Sequence, residues 1–93
     1  MRQSLFEVVK QSVTTKAAAE HYGIEVKRGG MAKCPFHSDQ SPSLKLNDGY
    51  YYCFGCGATG DVIDLVARLF QIGNKEGGER IAGDFGLQYE SQV

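Results

Sequence analysis

Tryptophan is absent from this 93-residue sequence, and proline occurs only twice. No apolar run approaches the roughly 18 residues of a membrane-spanning helix. The N-terminal MRQSLFEVVKQS also lacks the unbroken apolar core and small-residue cleavage site of a secretory signal. These absences lead to the expectation of a cytoplasmic chain with no membrane association. A strong charge of either sign is missing too: 10 basic and 11 acidic side chains leave a net charge of −1. Bulk charge therefore does not point to nucleic acid, and any phosphate-binding surface has to come from local arrangement. Cysteine is scarce, at 3 residues. In a reducing compartment that odd number argues against disulfides and toward metal binding or catalysis. The chain is also short. A single domain over residues 1–93 would bury about 60 to 65% of its unfolded surface, a marginal core that small domains often supplement with a metal. The one excess is glycine, at 12 residues, which implies many turns and tight backbone sites.

Local patterns predict an α+β arrangement. Leu5, Phe6, Val8, Val9 and Val13 recur at helical spacing, giving a short amphipathic helix over 4–12. Thr14 is a good N-cap for a second helix, Thr15 to Tyr22, with Gly23 as its C-terminal glycine. Ile24 to Lys27 alternates apolar and charged residues, and Gly29-Gly30 marks a turn, so a hairpin into Met31–Cys34 is expected. Leu44 to Leu46 and Tyr50 to Cys53 read as two further strands, with Asn47-Asp48-Gly49 supplying the positive φ of a tight turn. From Asp61, an N-cap, the period becomes helical through Val62, Ile63, Leu65, Val66, Leu69, Phe70 and Ile72, ending at Gly73. Most of that stripe is expected in the core, with a portion available to a partner. Asn74 is expected to cap a last helix over 75–83 with Ile81 and Ala82 inward, weakened by Gly77-Gly78 at about 1 kcal/mol each. Residues 88–93 read as a frayed tail.

The strongest signal is Cys34-x2-His37, fifteen intervening residues, then Cys53-x2-Cys56. Zinc takes four nitrogen or sulfur ligands at tetrahedral angles. A pair two residues apart fits one tight knuckle, and the 44–53 hairpin would bring two knuckles together. Gly55 and Gly57 fit the sharp bend of the second knuckle, its backbone amides can donate to the thiolates, and Pro35 stiffens the first. With four protein ligands the metal would be structural. A redox CxxC pair is the competing reading, but no βαβ pattern precedes it and CPFH would go unexplained. A Cys–His catalytic pair is disfavoured because both residues serve better as ligands, so no catalytic residue is assigned. His21 reads as an ordinary helix residue.

CPFH, SPS, YYCFGCG and GDVIDL, in that order, resemble the N-terminal zinc-binding domain of bacterial DnaG-type DNA primases. The resemblance covers about residues 24–72, through Cys34 to His37, Asp39, Pro42-Ser43, Leu44 to Leu46, Tyr51 to Gly57 and Gly60-Asp61. Leu44 stands where the family usually has phenylalanine. The resemblance implies a zinc ribbon, a small antiparallel sheet with helical flanks at 4–22 and 74–85, and one zinc at Cys34, His37, Cys53 and Cys56. It also implies contact with single-stranded template DNA in primer synthesis, alongside a separate catalytic domain or protein or a replicative helicase. Either a stand-alone relative or a fragment of a longer primase fits it.

Five of the ten aromatics lie between residues 36 and 54. Strand alternation puts Tyr50, Tyr52 and Phe54 on one face and Tyr51 and Cys53 on the other. Tyr51 and Phe36 are assigned to structure. Tyr50 and Tyr52 are assigned to an exposed platform for unpaired bases, with Lys33 and Lys45 beside it for phosphates and Lys27 and Arg28 as further candidates. Two other functions compete. One is a non-catalytic ribbon that docks a replication or mobile-element protein, favoured by the balanced charge. The other is a helix-turn-helix from VTTKAAAEHYGIEV, opposed by the strand-like alternation after Gly23.

Overall fold

Side-chain caps define where the first helices begin. In the computed structural model, which describes residues 4–36 and 42–89, the Ser4 hydroxyl accepts from Glu7 N–H and starts α1 (Leu5–Ser12). The Thr14 hydroxyl accepts from Ala17 N–H and starts α2 (Thr15–His21). Asp61 and Asp64 form a reciprocal capping box for α3 (Val62–Phe70), with bonds of 2.9 and 3.0 Å. Helix α4 runs Asn74–Phe85 and ends on Gly86 in the left-handed region.

Burial pushes the Asp61 carboxyl up, but the Asp64 amide and Lys10, 3.2 Å away, outweigh it and hold the carboxyl below its ordinary range. A depressed folded value stabilises fully above the unfolded carboxylate value, near 4, and the contribution disappears as pH falls through the folded value. Asp61→Ala is therefore expected to cost about 1 kcal/mol at pH 7. In urea titrations the gap from wild type should shrink below about pH 4; a gap independent of pH would contradict the cap.

The sheet is antiparallel throughout, in the order β1 (Met31–Ala32), β2 (Leu44–Leu46), β3 (Tyr51–Cys53), β4 (Thr59–Gly60). Its β2–β3 hairpin is the expected one, with Leu44 opposite Cys53 and Leu46 opposite Tyr51. Two expectations about turns are corrected. None of Asn47, Asp48 and Gly49 has a positive φ. The turn is held from outside instead: the Thr15 hydroxyl donates to the carbonyls of Asn47 and Tyr50, and Thr15 N–H to that of Asp48. Ile24 to Lys27 is not a strand, since its pairing is a single bridge from Lys27 to Met31 across a 3-10 turn. Gly30 there has φ +78°, and a Cβ would sit 2.6 Å from the Leu46 carbonyl oxygen, so the turn closes against β2. No helix follows Gly23 before that turn, which removes the helix-turn-helix reading.

Helix α3 lies between two cores, which accounts for its nearly unbroken apolar sequence. Leu65 joins Ala19, Ala32, Leu44, Leu46, Tyr51, Ala58 and the buried cysteines behind the sheet. Val62, Ile63 and Val66 join Val9, Val13, Ala18, Ile81 and Ala82 among the helices. The helix stops at Phe70, short of Gly73, because Gln71 turns left-handed (φ 57°) and Ile72 N–H bonds back to Ala67. Asn74 is the first residue of α4 and not its cap; its amide donates to Asp64 Oδ1 at 2.8 Å. The Gly77-Gly78 pair is buried at helix crossings. A Cβ on Gly77 would meet Ala67 backbone at 3.2 to 3.3 Å, and one on Gly78 would meet Leu5 and Phe6 at 3.3 to 3.4 Å. The helical propensity lost there is offset by closer approach of α3 and α1.

Candidate metal centre and the open sheet face

Hairpin register carries Cys53 to the end of β3, where its side chain points to the buried face, and the following turn returns Cys56 toward it. Cys34 arrives from the chain after β1. The three Sγ atoms lie within 4.8 Å of one another, with Cys34 and Cys56 at 3.9 Å. Two sulfurs bound tetrahedrally at the usual Zn–S length are about 3.8 Å apart, so the spacing fits a thiolate-bound metal. His37, the fourth expected ligand, lies outside the described residues.

Donors surround the sulfurs. Phe36 N–H points at Cys34 Sγ (3.4 Å), the Ser43 hydroxyl lies 3.5 Å from Cys53 Sγ, and the amides of Cys56 and Gly55 also serve Cys53. The expected amide donors of the second knuckle are thus present, with the positive φ carried by Gly57 (φ +80°) and not by Gly55. Burial and the neighbouring thiols push the Cys34 thiol up to about 12, against the Phe36 amide. Burial pushes Cys53 up as well, but Ser43, the two amides and the Cys34 thiol overcome it and bring Cys53 down to about 6. A divalent cation among these sulfurs would displace the protons they still carry.

The opposite face of the sheet is open. Pairing places Met31, Lys45, Tyr52 and Thr59 in one row across all four strands. Tyr50, Tyr52 and Phe54 are 55, 38 and 70% exposed while Tyr51 is 1%, so the alternation read from the sequence holds. The Tyr52 and Phe54 rings meet edge to face at 5.1 Å. Lys45 stands opposite Tyr52, and its ammonium donates to the Gly29 carbonyl. Lys33 is not brought into this row; it lines a shallow cleft with Ile24, Glu25 and Lys27, and Lys27 is ion-paired to Glu25 at 3.1 Å.

Two residues at the knuckles were missed. Ser43 left no signal in the strand register, which one step beyond Leu44–Cys53 pairs it with Phe54 on the open face. Arg68, whose guanidinium lies 4.7 Å from the Phe36 ring centre, left no local signal because it comes from α3.

The sequence matches the CHC2 zinc finger, in its DnaG zinc-ribbon form, over residues 1–93. It is 35% identical to the DNA primase of Helicobacter pylori J99 over 88 residues, covering 92% of this chain and 14% of that protein. It is 36% identical to the DNA primase of Thermotoga maritima over 90 residues, covering 91% of this chain and 16% of that protein. The crystal structure of the Aquifex aeolicus primase, comprising zinc-binding and RNA polymerase domains, superposes with a TM-score of 0.76 at 27% identity. That match covers 95% of this chain and 23% of the Aquifex chain. The chain thus spans about one seventh of the curated relatives it matches. Among the described residues, no helix is long and apolar enough to cross a membrane.

Proposed function

The chain belongs to the CHC2 zinc-finger family of DnaG-type primases, and from that premise we propose that it binds single-stranded template DNA for primer synthesis. In this reading Cys34, His37, Cys53 and Cys56 hold one zinc ion, which cross-links the knuckle after β1 to the hairpin β2–β3. The ion's role is structural. The catalytic step belongs to a polymerising domain or protein, with a replicative helicase as a further partner.

The observation that carries the reading is the open aromatic face beside the sulfur cluster. Tyr51 and Cys53 face the core while Tyr50, Tyr52 and Phe54 face solvent from the same strand segment. Rings presented this way accept unpaired bases by stacking, at about 1 to 3 kcal/mol per base, without selecting their sequence. Lys45 opposite Tyr52 adds one positive charge to that row, suited to a backbone phosphate. A duplex keeps its bases stacked inward and offers this face little.

Titrating the zinc-loaded protein with fluorescent single-stranded and duplex oligonucleotides at low and physiological salt tests the reading. Single strands should bind better, and Tyr52→Ala should weaken them by about tenfold. If the folded, zinc-loaded protein binds neither form, the face is no template platform, and a ribbon that docks another replication protein replaces this function.

A further inference from the structure

Arg68 is solvent-exposed on α3, yet its guanidinium lies over a residue of the metal knuckle. It covers the Phe36 ring at 4.7 Å, and that ring packs against Tyr51 with centroids 5.9 Å apart. Phe36 has a second role, since its backbone N–H points at Cys34 Sγ at 3.4 Å. The ring and the amide belong to one residue, so holding the ring restrains the backbone that carries the amide. An amide donor aimed at a thiolate favours its charged form and steadies it as a ligand. Pro35, Phe36, Arg68, Leu69 and Gln71 line one open cleft at this point, so Arg68 bridges the knuckle to the helix across a surface groove.

We propose that Arg68 is a positioning residue for the metal centre: it clamps Phe36, and through the Phe36 amide it holds Cys34 in place as a ligand. The inference rests on the zinc reading given above and adds to it a residue from outside both knuckles. Arg68 also reaches the Tyr51 side chain in the core behind the sheet, so its loss is felt there as well as at the metal. A planar guanidinium stacks on a ring in a way that an ammonium does not, so lysine at this position would restore the charge without the full clamp.

The test is transfer of zinc from the full chain to a chromophoric chelator. Arg68→Ala should speed transfer by about fivefold, the size of one exposed cation–π contact. Because zinc binds only the folded chain, the loss of urea stability in excess zinc should stay near what a fivefold weaker hold on the metal carries with it, about 1 kcal/mol. Arg68→Lys should fall between the two in transfer rate. In a Phe36→Leu background, Arg68→Ala should speed transfer no further, since the ring it acts through is gone. An unchanged transfer rate, an equal effect with and without the Phe36 ring, or a loss of urea stability well beyond that linked share would each overturn the proposal. A wild-type chain that takes up no zinc would overturn the zinc reading itself, and is recognised because there is then no metal to transfer.

Discussion

Cys53→Ser abolishes cooperative folding of the sheet half of the molecule: this is the largest effect expected. Cys53 is fully buried, belongs to the core behind the sheet, and lies within 4.8 Å of the other two sulfurs. A structural zinc contributes about 10 to 16 kcal/mol of apparent binding free energy at neutral pH. A domain of this size has a total stability of only about 5 to 10 kcal/mol, so the sheet cannot survive loss of the metal. The helices around Val9, Val66 and Ile81 form a separate core and should outlast it. Amide exchange should show β1–β4 unprotected in the variant and in chelated wild type, with zinc content falling from one to none. A dispersed spectrum and an unchanged melt for Cys53→Ser would refute the prediction.

The sulfur cluster also sets the pH dependence of metal uptake. Without metal, Cys34 is pushed up to about 12 and Cys53 is brought down to about 6. Between those values the pair holds one proton, which zinc must displace. Affinity should therefore rise with pH across the neutral range, and fall more steeply below about pH 6, where the second sulfur of the pair also takes a proton.

The second large effect comes from neighbouring tyrosines with opposite fates. Tyr51 is 1% exposed, stands opposite Leu46 and Gly60, and packs against Phe36. Truncating a buried aromatic costs about 3 to 5 kcal/mol through lost burial and the cavity left behind. For a chain this short, Tyr51→Ala should lower the melting temperature by roughly 15 to 30 °C. Tyr52→Ala removes a ring from the open face and should change stability by less than about 0.5 kcal/mol. Thermal melts of the two zinc-loaded variants decide the matter, and comparable losses would mean that the open face is packed and not available to a ligand.

The zinc-ribbon character was legible because it depends on covalent spacing and strand period. Two residues between paired ligands make a knuckle whatever surrounds it, and alternation along residues 50–54 divides the aromatics between two faces without reference to the rest of the chain. The caps at Thr14 and Asp61 were legible for the same reason, since a side chain reaching three residues ahead needs no distant partner.

Where the sequence reading failed, a remote contact decided the outcome. Asn47-Asp48-Gly49 turns without positive φ because Thr15, 32 residues earlier than Asn47, supplies the hydrogen bonds. Asn74 lost its capping role to a bond with Asp64, and Ile24 to Lys27 keeps one bridge because the chain folds through a 3-10 turn closed against Leu46. Strand β4 is only two residues long, too short to carry a period. By itself, then, the sequence determined the ligand spacing, the starts of α2 and α3 and the two-faced strand, all of which follow from bonds and periods within a few residues. Only the tertiary structure decided which side chains complete the turn, why Gly77 and Gly78 stand at the helix crossings, and that Arg68 covers Phe36. Those depend on surfaces that do not meet until the chain has folded.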